Sequence, residues 1–240
     1  MIAAIIQART GSTRLPGKVL RTLGDKPVLT WVVRAAQAAG VFDDIVVATT
    51  TEPGDDAVVK LAEGLRVHAV RGPVNDVLSR YVMAVDEVRA QTVVRLTSDC
   101  PLLDPSVIAS CVRAFDADAL DYLSTGLPHT LAHGFDVEVF SAGALRTANV
   151  FAEGVDRVHV TSYLYSHPEA FRLGGLTFTP DCTDLRVTLD EPADAELLDA
   201  LVAEIGDGPH DWRKVVGVLR ARPDLVAINA HVRQKALADG

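Results

Sequence analysis

Cysteine is scarce: Cys100, Cys111 and Cys182 are the only three in 240 residues, with no C-x-x-C pair and no zinc-ligand spacing among them. That excludes a disulfide framework or a zinc module as the organising principle and leaves the thiols as reduced core or site-lining residues. No apolar run approaches about 18 residues, so a membrane-spanning helix is not expected. Nor does the opening stretch have a charged start, an apolar middle and a small-residue cleavage site, so the expected address is the cytoplasm. Excess positive charge is also missing. A formal charge of −9 argues against a broad basic face and hence against nucleic acid as a partner. Internal repeats, low-complexity tracts and flexible linkers are absent, and the expected organisation is one domain over residues 1–240.

What is present starts at the beginning of the chain. Hydrophobic residues make up 48% of the sequence, enough for a substantial core. The run from Ile2 to Ile6 reads as a fully buried strand, and it empties into a loop holding Ala8, Arg9, Thr10, Gly11, Ser12, Thr13, Arg14, Gly17 and Lys18. Glycines let backbone N–H groups approach an anion, hydroxyls donate further bonds, and guanidinium and ammonium groups neutralise phosphate charge. Pro16 fixes its own φ and restricts Leu15, which stiffens the loop. These are the requirements of a triphosphate site. The loop is nevertheless neither of the common phosphate motifs: Val19 follows Gly17-Lys18 where a Walker A loop needs Ser or Thr, and the G-x-G-x-x-G spacing of dinucleotide binders is missing.

Downstream, strand and helix patterns alternate. Pro27 opens a helical apolar face that closes at Gly40, IVVATT follows as a second buried strand, and another helix starts near Asp55. Residues 65–71 offer a third strand, 74–89 a helix capped by Asn75 or Asp76, and Thr92 to Thr97 a fourth strand. This order predicts an α/β fold with a doubly wound, mostly parallel sheet. Arg71 and Arg80 fall just past the carboxyl end of the third strand. The fourth strand ends in RLTSDCPLLDP, where Pro101 fixes a turn that aims the Asp99 carboxylate toward the first loop. A carboxylate facing a triphosphate calls for a cation between them, which makes Asp99 a candidate Mg²⁺ ligand. Asp104, before Pro105, is better explained as the cap of a helix over 106–115.

Beyond residue 120 the alternation weakens. A short strand is expected over 121–124, a loop with His129 and His133 over 126–135, and a half-buried strand in DVEVF. Either loop histidine is a candidate for contact with an acceptor, against the commoner solvent-facing role. DRVHVTSYLYSHPEAF reads as one helix stopped by Pro168, and 169–180 as a further strand. In LRVTLDEPADAELLDAL, Val187 to Leu189 reads as a strand closed by Asp190, with Pro192 opening a helix and Asp194 a first-turn acid. A helix near Trp212 to Arg220, a break at Pro223 and a mixed tail to Gly240 complete the chain.

The string ARTGSTRLPGK resembles the N-terminal signature of the sugar-acid cytidylyltransferases, the group containing the acylneuraminate and 3-deoxy-manno-octulosonate enzymes. Within that group the chain is most similar to the branch named after spore coat polysaccharide biosynthesis protein F. The resemblance implies a Rossmann-like nucleotide-transferase fold, transfer of CMP from CTP to a sugar acid for surface-polysaccharide or glycan synthesis, Mg²⁺ as cofactor, and a homodimer built through a small sheet extension within residues 124–180. It implies catalytic roles for Arg9 and Lys18, with Ala8, Thr10, Gly11, Ser12, Arg14, Arg71, Arg80 and Asp99 on the nucleotide. It also implies acceptor contacts by Asp136 and Glu138. His159 falls in a segment like the branch's Arg-Glu-His-Val-Thr motif, with Val158 in place of the Glu. Asp190-Glu191-Pro192-Ala193-Asp194 resembles Asp-Thr-Pro-Glu-Asp, which makes Asp190 the second metal ligand. Two other readings stay open: a glycosyltransferase using a nucleotide sugar, though Ser98-Asp99-Cys100 lacks the usual Asp-x-Asp pair, and a nucleotide-binding partner without catalysis.

Overall fold

The computed structural model describes residues 1–233. Strand β1 (Ile2–Gln7) is covered on both faces, as its unbroken apolar run requires. Ala4 and Ile6 enter one core cluster, Ala3 and Ile5 the other, and all four are fully buried. Each buried isoleucine contributes about 1.5–3 kcal/mol by leaving water. A 3₁₀ turn at Lys18–Leu20 and a small hairpin, β2 (Thr22–Leu23) with β3 (Lys26–Pro27), lead into α1 (Val28–Ala39). Gly40 ends that helix in the left-handed region, φ 63°, as its position predicts.

The classical alternation follows: β4 (Asp44–Thr50), α2 (Asp56–Gly64), β5 (His68–Gly72), α3 (Val77–Val88), β6 (Thr92–Thr97) and α4 (Pro105–Ala117). Then come β7 (Tyr122–Ser124), β8 (Glu138–Ser141), α5 (Ala142–Phe151), the short helices α6 (Val155–His159) and α7 (Ser162–Ser166), and β9 (Leu173–Gly175). Helices α8 (Pro192–Ile205), α9 (Trp212–Ala221) and α10 (Pro223–Asn229) close the described chain.

Seven strands form one sheet in the order β5-β4-β1-β6-β8-β7-β9, and every pairing is parallel except the two made by β8. The doubly wound, mostly parallel sheet matches the sequence expectation. The order carries the functional information. β4 and β6 flank β1 on opposite sides, so the chain reverses its direction of travel across the sheet there, and the carboxyl ends of β1 and β6 open onto a topological switch point. Ligands of open α/β sheets bind in that crevice. The first loop leaves β1 and Asp99 leaves β6 at the same place. No helix among the described residues is long and apolar enough to cross a membrane.

Four expectations are corrected. The segment from Asp156 to Pro168 is not one helix: α6 and α7 are separated at Val160, whose φ is 60°. Burying Val160 completely and carrying Thr161 to Glu138, where its hydroxyl donates to Oε1 at 2.7 Å, override helical continuity. Helix α3 starts at Val77 rather than Val74, because Asp76, one of the two expected caps, accepts the Ser79 amide at 2.9 Å and fixes the N-cap. Residues 187–189 are extended but belong to no strand; they are held instead by Val187 N donating to His133 O at 2.7 Å and Leu189 N to Asp99 O at 2.8 Å. After Pro223 the chain forms α10 and packs on α8, where a mixed tail was expected; residues 234–240 lie outside the described ones.

Candidate active site

Lys18 is the centre of the crevice. Its 3₁₀ turn follows Gly17, and the side chain is buried, with Nζ donating to Asp99 Oδ2, Asp190 Oδ1 and Leu189 O, each at 2.8 Å. Burial opposes the ammonium charge, but the two carboxylates outweigh it and raise the Lys18 pKa. Burial likewise opposes ionisation of Asp99, and Lys18 reverses that effect and holds its carboxyl below the usual range. Asp99 and Asp190 thus converge on the Lys18 ammonium from two different segments of the chain.

Asp190 is the more heavily buttressed of the two. Arg14 Nη2 stands 3.0 Å from Oδ1, and Arg186 Nη2 donates to Oδ2 at 2.9 Å. Arg186 continues to Asp194 through Nε at 2.9 Å and Nη2 at 3.1 Å. Asp194 is fully buried and also accepts the Asp190 and Glu191 amides at 2.9 and 3.0 Å and the Asn229 amide nitrogen at 2.9 Å. It is a first-turn acid in a capping box with Glu191, as expected, and in addition the fixed point that orients Arg186 and hence Asp190. The supporting role of Arg186 escaped the sequence reading. Its signal was the four-residue spacing Arg186, Asp190, Asp194 across the start of a helix. The cluster sets Lys18, Arg14 and Arg186 against Asp99, Asp190 and Asp194, with Glu191 a further acid 3.7 Å from Arg14 at its rim.

The first loop is braced from below by a residue that sequence reasoning passed over as a helix start. Asp55 Oδ1 accepts both the amide and the hydroxyl of Thr10 at 2.7 Å, while Thr50 donates to Oδ2. Burial raises the Asp55 pKa, and these donors, Thr50 first, more than reverse the effect and hold it low. Gly17 N and Ser12 N donate to Thr10 O at 2.8 and 2.9 Å, closing the loop on itself. Ala8 is buried and donates to Ala48 O at 3.1 Å, whereas Arg9 and Gly11 are exposed and Ser12 half-buried. The loop therefore has a rigid base and a cationic, hydroxyl-bearing rim.

Arg80 and Arg71 differ sharply. Arg80 is 2% exposed, and its Nε and Nη1 have no hydrogen-bond partner. Burial first, then repulsion by Arg9, lowers its pKa. Asp55 and Asp76 attract it only through space, and a buried guanidinium with unbonded donors is costly, which suits this position to an anionic ligand. Gly72 makes room for it, because a Cβ there would stand 2.6 Å from Arg80 Cγ. Arg71 is already committed: Nε donates to Thr50 O at 2.8 Å, Nη2 to Glu52 O at 2.9 Å, and Nη1 pairs with Asp56 at 2.6 Å. It ties the end of β4 to α2 rather than presenting a free charge.

On the β8 side, Glu138 is engaged by Arg95, by the Tyr122 hydroxyl at 2.5 Å and by Thr161 at 2.7 Å. Asp136 accepts the Gly134 amide at 3.1 Å and stands 2.9 Å from His129 Nε2. That carboxylate raises the His129 pKa, whereas burial, then repulsion by His129, lowers that of His133. His159 sits at the end of α6 with Nε2 buried and unpartnered. The crevice brings together the first loop, Asp99 and Asp190; Asp136 adjoins it, while Arg71 and Glu138 are held in supporting networks.

Comparison with known proteins agrees with this geometry. The family model described as Cytidylyltransferase matches residues 3–199. The chain is 32% identical over 238 residues to spore coat polysaccharide biosynthesis protein SpsF of Bacillus subtilis, covering 93% of this chain and 95% of that one. It is 33% identical over 132 residues to a 3-deoxy-manno-octulosonate cytidylyltransferase of Mesorhizobium japonicum, covering 51% of each. A cytidylyltransferase structure from Leptospira borgpetersenii superposes with a TM-score of 0.91 at 27% identity, covering 98% of this chain and 99% of that one. With the triphosphate-type loop and the paired aspartates at the switch point, these matches establish that the chain belongs to the sugar-acid cytidylyltransferase family and is a nucleotidyltransferase.

Proposed function

We propose that this chain transfers CMP from CTP to a sugar acid in the cytoplasm, for surface-polysaccharide or glycan synthesis. The observation that carries the reading is Lys18 held between Asp99 and Asp190 at the switch point, beneath the rim that bears Arg9. In the reaction the anomeric hydroxyl of the acid attacks the α-phosphorus, the bond to the β-phosphate bridging oxygen breaks, and pyrophosphate leaves. Such a step relies on positioning and charge neutralisation rather than covalent catalysis.

Arg9 and Lys18 stabilise the charge that develops on the α-phosphate and the departing pyrophosphate. Ala8, Thr10, Gly11, Ser12 and Arg14 cradle the triphosphate, and Arg80, with Nε and Nη1 unbonded, supplies a buried positive charge to the nucleotide, with Arg71 holding the wall beside it. Asp136, Glu138 and His159 face the acceptor side, Glu138 through the Arg95 and Tyr122 network that fixes it. Asp99 and Asp190 suit Mg²⁺: both donors are oxygen, both are charged, and they already converge on one cation, the Lys18 ammonium. When bound, the metal would neutralise phosphate oxygens and favour ionisation of the attacking hydroxyl. Residues 124–180 supply the homodimer contact in this reading, supported by Val150 at 74% and Phe151 at 62% exposure on the helix that follows β8; sedimentation of the full chain tests it.

The decisive experiment is pyrophosphate release with each of the four nucleoside triphosphates against a panel of sugar acids, with and without Mg²⁺. Turnover with CTP and one acid, lost on chelation and in Lys18→Ala and Asp99→Asn, is the expected result. Absence of CTP binding with Mg²⁺ present overturns the reading.

A further inference from the structure

The loop between β7 and β8 carries a cluster of nitrogen and oxygen donors apart from the Asp99 and Asp190 carboxylates, sharing Asp136 with the acceptor side of the proposed site. One nitrogen each of His129 and His133 and one carboxylate oxygen of Asp136 lie within 4.8 Å of one another. The two imidazole rings face each other at 4.7 Å between centroids, tilted by 42°. His129 Nε2 is shut off from solvent and lacks an aligned hydrogen bond, although Asp136 Oδ1 stands only 2.9 Å away. Two imidazoles packed against each other beside one carboxylate bring two ring nitrogens and an anionic oxygen, the donor set of a transition-metal site, within reach of a single ion, with the His129–Asp136 contact holding two of the three together.

The backbone under the cluster is fixed, so the ligands are held in place before any metal arrives. His133 N donates to Leu185 O at 3.1 Å, and Val187 N returns to His133 O at 2.7 Å. Gly134 is indispensable to that seam: its φ is 113°, and a Cβ there would stand 2.7 Å from Thr188 N. Asp136 Oδ2 accepts the Gly134 amide at 3.1 Å, leaving Oδ1 toward the histidines. The cluster is distinct from the Lys18 crevice but adjoins it. β6 and β8 are antiparallel with Arg95 opposite Glu138, so Asp136 lies beside the carboxyl end of β6, which leads into Asp99.

We propose that His129, His133 and Asp136 form a second metal site, selective for a first-row transition ion such as Zn²⁺ over Mg²⁺, separate from the Asp99 and Asp190 pair. Nitrogen donors give the selectivity: imidazole suits zinc, cobalt and nickel, whereas Mg²⁺ prefers oxygen ligands and keeps its waters. Three protein ligands leave a coordination position open to water or an anionic oxygen.

Co²⁺ tests this as a spectroscopic substitute for Zn²⁺, added to the chelator-treated full chain without nucleotide. The expected result is one Co²⁺ per chain with visible d–d bands and two hyperfine-shifted imidazole resonances, in the wild type and equally in Asp99→Asn. His129→Ala and His133→Ala should each remove a different resonance and weaken Co²⁺ binding at least about tenfold. Absence of Co²⁺ binding overturns the proposal, as does binding without imidazole resonances, or binding lost in Asp99→Asn and unchanged in His133→Ala. If either histidine variant fails to fold, the wild-type and Asp99→Asn spectra still decide. No substrate enters the measurement, so its outcome is independent of the cytidylyltransferase reading.

Discussion

Lys18 and Asp190 are 172 positions apart in the chain and 2.8 Å apart in the crevice, and Asp190 reaches that contact while also paired with Arg14 and Arg186. Removing the ammonium leaves Asp99 and Asp190 facing each other without the charge that reconciles them. Lys18→Ala should lower nucleotidyl transfer about 10²–10³-fold, the scale of losing one charge-stabilising group. It should also destabilise the fold by about 3 kcal/mol. Denaturant unfolding of Lys18→Ala, Asp190→Asn and the double variant checks this; additive effects would show that the pair is not coupled.

Arg80 predicts opposite signs for stability and binding. The guanidinium is buried without partners for Nε and Nη1, so Arg80→Met should unfold at the same or a higher temperature than the wild type. The same change should weaken CTP binding about tenfold or more, since a charge-assisted hydrogen bond contributes about 1.5–3 kcal/mol. Calorimetric melting and nucleotide titration separate the two. A large loss of stability would mean that Arg80 supports the apo fold instead.

Asp55 should give the loop brace a pH signature. Its folded pKa is depressed by the Thr50 and Thr10 donors despite burial. A carboxyl depressed on folding contributes stability that is fully present above its unfolded pKa of about 4 and is lost as pH falls through the folded value. The stability gap between wild type and Asp55→Asn should therefore be widest near neutrality and narrow as the solution is acidified below about pH 4. Melting temperatures across that range test the sign.

Gly134→Ala places a methyl group against the Thr188 amide at a φ that side chains avoid. The strain should reduce stability by about 1–3 kcal/mol. Because the 185–190 segment carries Asp190, transfer should fall further than the lost folded fraction explains. Activity measured well below the melting transition separates these effects.

The sequence by itself determined the elements whose causes are local. An apolar run buried on both faces made β1 evident, a proline start and glycine stop bounded α1, and the density of hydroxyls, glycines and cations after β1 marked an anion loop. Asp104 as a cap and Asp99 at a strand end were equally legible, because chain neighbours fix their geometry. Only the tertiary structure decided the partners. Lys18 sits between two carboxylates because β1 and β6 are adjacent and because residues 185–190 are seamed to the His133 loop, and neither adjacency is encoded within a helical or strand period. Long-range contact likewise broke the helix at Val160, made the first-turn acid Asp194 a buried keystone as well and left Arg80 with unbonded donors. Local propensity is worth tenths of a kilocalorie per residue, whereas burying a charge or an apolar side chain is worth several times more. Where the two conflicted, burial decided the structure.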